Sequence, residues 1–122
     1  MFEERAISIW TYNIETLLAE KLETIMARGT VNTRMRDFLD IHLISNQESF
    51  DNAVLKKAFL ATSDKRNTAA LISDFRIILS AVESDETMKS QWESFKEHSF
   101  FVGDLSWEDV MISVKSLAET VL

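Results

Sequence analysis

Lys21, Arg34, Asp37 and Asp40 are charged residues that helical projection places on or at the rim of otherwise apolar helix faces, where ion pairing, or for Lys21 a phosphate, would account for them. Arg34 stands three before Asp37 and Asp37 three before Asp40, a pattern that puts them along one side of a helix. Lys21 joins them through its own helix. Ile14, Leu17, Leu18, Leu22 and Ile25 form an apolar face, and helical projection puts Lys21 near its centre while Glu15, Glu20 and Glu23 fall off it. Two accounts fit a lysine there. Either it lies near a helix edge and extends its ammonium to water, or it is partly buried with an acidic or phosphate partner, because an unpaired buried charge is costly. Asp37 and Asp40 could also touch one metal ion, but Arg34–Asp37 (i,i+3) and Arg36–Asp40 (i,i+4) pairs explain them more simply, and no metal ligand is assigned.

Two helices must position these groups. The first is expected over about 14–28, with Asn13 as N-cap and Gly29 as C-cap glycine. The second is expected from about Thr33, capped by Asn32 or Thr33, to Ile44, with Arg34 and Asp37 projected among Phe38, Ile41 and Ile44 and Asp40 on the rim. Arg34 and Arg36 then sit in a first turn, where the helix dipole disfavours cations. The short link Gly29-Thr30-Val31-Asn32 makes the helices neighbours, so Lys21 can reach Asp37 or Asp40 and one polar cluster is expected.

The remaining chain reads as supporting helix. Further helices are expected over about 49–62, 68–83 and 85–97, and a last one to about 121 opens at Ser106-Trp107-Glu108-Asp109, a capping box with Asp in place of Glu. Leu105 is placed to staple onto Val110, and Met88, Trp92 and Phe95 read as core. One short strand is expected over about 4–10, where Ile7 and Ile9 alternate with Ser8 before Trp10, Thr11 and Tyr12. It has no second strand to pair with, so its partner is sought in a missing N-terminal part or another chain. The expected fold is a mainly α, compact bundle of about six helices behind one strand, forming a single domain over 1–122.

Composition narrows the function. Zero prolines, where average usage of about 5% would give roughly six, and only two glycines favour helix. The absence of cysteine removes disulfides, thiolate sites and cysteine nucleophiles and makes the cytoplasm the default compartment. The N-terminus lacks a signal-peptide pattern, and no membrane-spanning apolar run occurs. A net charge of −7 opposes bulk attraction to nucleic acid or anionic membrane, so any phosphate contact must be local. Neither glycine belongs to a phosphate-cradling loop, and His42 and His98 belong to no ligand motif.

Residues 12–41 carry a family resemblance. Glu15, Ala19, Glu20 and Lys21 match an E-x-x-A-E-K helix, and Arg34, Asp37 and Asp40 match an R-x-x-D-x-x-D helix shortly after it. In order and separation the stretch resembles the AbiEii/AbiGii abortive-infection toxins, which are nucleotidyltransferase-like; the segment from Lys65 to Leu105 is only loosely similar. The resemblance implies that Lys21 and Arg34 bind nucleotide, that Asp37 and Asp40 are catalytic, and that a complete member uses Mg²⁺ and a nucleoside triphosphate. Members also carry a Gly-Ser motif followed by a D-x-D-like metal-binding element on an N-terminal α/β part. Here the glycines precede Thr30 and Asp104, and no two aspartates stand two apart. The chain is therefore expected to be the C-terminal helical portion of such a toxin, needing no cofactor of its own and inactive alone. Its expected partners are the missing half or a cognate antitoxin. The alternatives are a non-enzymatic partner-binding module or decayed remnant that self-associates through the strand, and a plain ion-pair network in a bundle.

Overall fold

In the computed structural model, residues 13–32, 34–99 and 102–121 are described, and among them six α-helices make up the fold. They are α1 (Ile14–Arg28), α2 (Met35–Gln47), α3 (Asn52–Lys65), α4 (Phe75–Ser84), α5 (Glu86–Glu97) and α6 (Trp107–Thr120), with 3₁₀ turns at Gly29–Val31 and Ala69–Asp74. The strand expected over 4–10 lies outside the described residues.

Local chemistry explains most of the boundaries. The Asn13 side chain accepts from Thr16 N at 3.1 Å, and Gly29 closes α1 at φ 53°, in the left-handed region that favours glycine. Both ends of α1 fall where the sequence places them. Helix α2 differs: it starts at Met35 and continues to Gln47, so it is shifted later than the expected 33–44. Its first residue outside the helix is Arg34, which offers no side-chain cap. Asn32 acts one step earlier, its Oδ1 accepting from Arg34 N at 2.8 Å in an Asx turn. Helix α3 is also later than the expected 49–62, because Asp51 is its N-cap and accepts from the amides of Ala53 and Val54. The stretch expected as one helix over 68–83 is divided into the 3₁₀ turn and α4, with Thr68 and Asp74 providing no cap. Ser106 caps α6 as expected, accepting from Asp109 N at 3.0 Å.

Helix α1 packs against α3 and α2, α2 against α6, and α4 against α6 and the first 3₁₀ turn. The buried apolar residues form one cluster spanning all six helices. Its aromatic centre joins α2, α5 and α6: the Trp107 ring lies 5.1 Å from Phe38 and 6.2 Å from Trp92, centroid to centroid. Both indole N–H groups are satisfied within the core, Trp92 donating to Leu105 O and Trp107 to Glu83 O, each at 3.0 Å. Met88 and Trp92 are buried and Phe95 packs beside them, as their helical spacing requires. No described helix is long and apolar enough to cross a membrane.

Because Trp107 touches two other rings and is fully buried, Trp107→Ala is expected to cost about 3–5 kcal/mol. Urea unfolding followed by circular dichroism measures it; a loss below about 1 kcal/mol would mean that the site collapses around the smaller side chain.

Candidate functional site

Lys21 is the meeting point of α1 and α2. Its ammonium lies 3.1 Å from Asp37 Oδ1 and 2.9 Å from Asp40 Oδ2, so one cation bridges both carboxylates. The bond to Asp37 is an aligned hydrogen bond. Asp37 is 4% exposed and Lys21 18%, which settles the choice between a lysine reaching for water and a partly buried pair in favour of the pair. At such depth each charge depends on the other, since neither can be fully hydrated.

Two arginines complete the cluster. Arg36 Nε donates to Asp40 Oδ1 at 3.1 Å, and Arg34 Nε lies 3.3 Å from Asp37 Oδ2. The second contact is close enough for charge attraction but is not aligned for a hydrogen bond, which leaves buried Asp37 Oδ2 without an aligned donor. All four residues singled out in the sequence therefore come together. Arg34 departs from its projected place among apolar residues: it precedes the helix and is 57% exposed.

A second ion pair adjoins the first. Glu23 is buried, and Arg66 Nη1 donates to its Oε1 at 2.6 Å while Thr68 Oγ1 donates to its Oε2 at 2.8 Å. Arg66 Nη1 also reaches Thr24 Oγ1 at 3.3 Å. Helical projection places Glu23 off the apolar face, and this is corrected: Ala19 and Met26, one turn to either side, are buried with it against α3. Their i, i+4, i+7 spacing was the available signal for a second apolar strip. Arg66 and Thr68 had no local signal beyond standing at the polar turn after α3.

These groups open onto a polar cleft of about 190 Å³ lined by Leu17, Glu20, Lys21, Thr24, Arg34, Asp37 and Arg66. Arg34 also borders a second, larger hollow of about 500 Å³ with Met35, Arg36, Gln91, Ser94 and Phe95. The two histidines stand elsewhere. His42 Nδ1 shares a 2.7 Å hydrogen bond with Ser113 between α2 and α6, and His98 Nδ1 lies 2.8 Å from Ser94 O at the end of α5.

The chain matches, over residues 1–113, the family model described as nucleotidyl transferase AbiEii toxin, type IV TA system. The chain belongs to the AbiEii toxin family. No curated protein and no solved structure matches it.

The donor set can be tested against the groups an AbiEii nucleotidyltransferase implies. Among the described residues no three His, Asp or Glu side chains converge to hold a metal ion, and the two carboxylates that do converge are bridged by the Lys21 ammonium. The described part of this AbiEii chain therefore does not fit Mg²⁺. Of the cleft's lining side chains three are cationic and two acidic, and each cation has an acidic partner: Lys21 has Asp37 and Asp40, Arg34 has Asp37, and Arg66 has Glu23.

A double-mutant cycle of Lys21→Met and Asp37→Asn is expected to return a coupling of about 1–3 kcal/mol from chemical unfolding, because the pair is mostly shielded from water. A coupling indistinguishable from zero would identify a solvated contact instead.

Proposed function

We propose that this chain is the helical portion of an AbiEii-type nucleotidyltransferase toxin and that Lys21, Arg34, Asp37 and Asp40 form its share of a nucleotide site. The observation that carries the reading is the bridging of Asp37 and Asp40 by one lysine at the edge of a polar cleft, within the span matched by the family. Phosphoryl and nucleotidyl transfer rest mainly on positioning and on charge placed against the phosphates, and the two carboxylates fix where the Lys21 ammonium stands. Arg34 is the more exposed partner and supplies a planar guanidinium to the same end of the cleft.

Asp37 and Asp40 then have different parts. Asp40 is held by both Lys21 and Arg36. Asp37 lines the cleft beside Lys21 and Arg34, which suits its carboxylate to orient a hydroxyl of the acceptor. The less polar hollow on the other side of Arg34, with Met35 and Phe95, suits a base or sugar beside the charged end.

The chain has neither a Gly-Ser followed by D-x-D nor a described carboxylate cluster for Mg²⁺, so the metal-holding carboxylates must come from another polypeptide segment. Alone, this chain is inactive in transfer. The family's description as the toxin of a type IV system supports a role on the toxin side with an antitoxin as partner; action in the cytoplasm and in phage defence is part of the same proposal.

Transfer from a radiolabelled nucleoside triphosphate to cellular RNA tests this directly. The expected result is no transfer by the 122-residue chain and transfer once a polypeptide bearing the Gly-Ser and D-x-D segment is added, reduced about 100-fold or more by Lys21→Met. Full transfer by the chain alone refutes the proposal. Thermal denaturation of Lys21→Met supplies the second readout: loss of a nucleotide-induced rise in melting temperature with the fold retained supports a ligand role, whereas unfolding assigns Lys21 to structure.

A further inference from the structure

The buried carboxylate of Glu23 has no part in the site just described, yet it holds Arg66, which lines the same cleft. Helix α3 ends at Lys65, and Asn67 adopts φ 60°, a left-handed conformation that Asn tolerates better than most residues. The turn is closed by Arg66 N to Thr62 O at 3.0 Å, Asn67 N to Asp64 O at 3.2 Å and Thr68 N to Ser63 O at 2.8 Å. Glu23 grips this turn at two points, Arg66 through one carboxylate oxygen and Thr68 through the other. A charge-assisted bond of 2.6 Å to a carboxylate that is 4% exposed fixes one edge of the guanidinium. The Arg66 side chain is 43% exposed and lines the cleft together with Arg34 and Lys21.

We infer that Arg66 is a third phosphate-binding cation of this site, held in place by Glu23 and Thr68, and that its ligand is the phosphate chain of a nucleoside triphosphate. The inference rests on the nucleotide reading above and extends it to a residue outside both family motifs. A single lysine already shared by two carboxylates is a weak anchor for a polyanion, especially on a chain of net charge −7. Arg34 and Arg66 flank Lys21 from two different elements, and a guanidinium fork matches phosphate oxygens in geometry as well as charge. Glu20 and Asp37 also line the cleft, and Lys21 and Arg66 are paired with Asp40 and Glu23, so an anion there is held by the geometry of the guanidinium forks and not by an excess of positive charge.

Calorimetric titration of the chain with inorganic tripolyphosphate tests this at about 0.15 M ionic strength, where a Debye length of about 8 Å screens the distant acidic residues. Arg66→Met is expected to bind about tenfold more weakly than wild type with its melting temperature retained. Arg66→Lys, which keeps the charge without the fork, should fall between them. Arg76→Met, at an exposed pair with Glu119 outside this cleft, should bind as wild type does. The four ribonucleoside triphosphates should bind at least as tightly as tripolyphosphate and lose as much in Arg66→Met; a loss confined to tripolyphosphate overturns the assignment of the ligand. If Arg66→Met does not fold, Arg66→Lys decides: weaker binding supports the inference and unchanged binding overturns it. Should Arg66→Met bind normally while Lys21→Met does not, the inference fails and the nucleotide reading stands. Normal binding by both variants removes both, and absence of binding by wild type at millimolar tripolyphosphate overturns the inference.

Discussion

An ammonium on the apolar side of a helix constrains the rest of this structure. Lys21 projects from the same face of α1 as Leu18, Leu22 and Ile25, all fully buried, so its charge must be met by acidic groups from a neighbouring element. Asp37 and Asp40 supply them, one turn apart on α2. That requirement fixes the rotation of α2 about its own axis, because only one face carries both carboxylates. The same rotation carries Phe38 and Ile41 into the core and directs Phe38 onto Trp107. Polar pairing and aromatic packing thus specify one arrangement of α1, α2 and α6.

The link between α1 and α2 makes that arrangement reachable. Gly29 at φ 53° ends α1, a 3₁₀ turn follows, and the buried Asn32 holds Arg34 N before α2 begins. Asn32 spends its oxygen on that turn while its amide nitrogen is buried without a partner, an uncommon cost for a linker residue. The link therefore places Arg34 beside Asp37 by backbone geometry, and both side chains reach the cleft from the junction. A second clamp, Glu23 on the turn after α3, holds Arg66, which lines the same cleft. Two ion-pair systems borne on one helix thus contribute to one cleft.

Membership of the AbiEii toxin family gives these charges a chemical context. The four charges that interrupt the apolar faces in the sequence, Lys21, Arg34, Asp37 and Asp40, also belong to the two family-like patterns. Lys21 stands out as a charge on an apolar face, whether or not the E-x-x-A-E-K pattern is noticed. Among the described residues no third acidic group converges on the Asp37–Asp40 pair.

The sequence by itself determined the helical character, both ends of α1, the capped start of α6 and the association of Lys21 with Asp37 and Asp40. These depend on spacing, capping side chains and short links, all of which act within a few turns of chain. It placed α2 and α3 two or three residues early, because their caps compete: Asn32, Thr33 and Arg34 all stand near one helix start, and Asp51 takes the role at the other. It also joined the Ala69–Asp74 turn to α4, since a 3₁₀ turn and an α-helix share nearly the same apolar spacing over so short a run. Only the tertiary structure decided that Glu23 is buried and that Arg66, 43 residues later, reaches it. The physical reason is that burial of a charge is set by which helix packs over it. Glu23 is an ordinary surface acid until α3 covers that side of α1 and its terminal turn brings a guanidinium and a hydroxyl to both carboxylate oxygens.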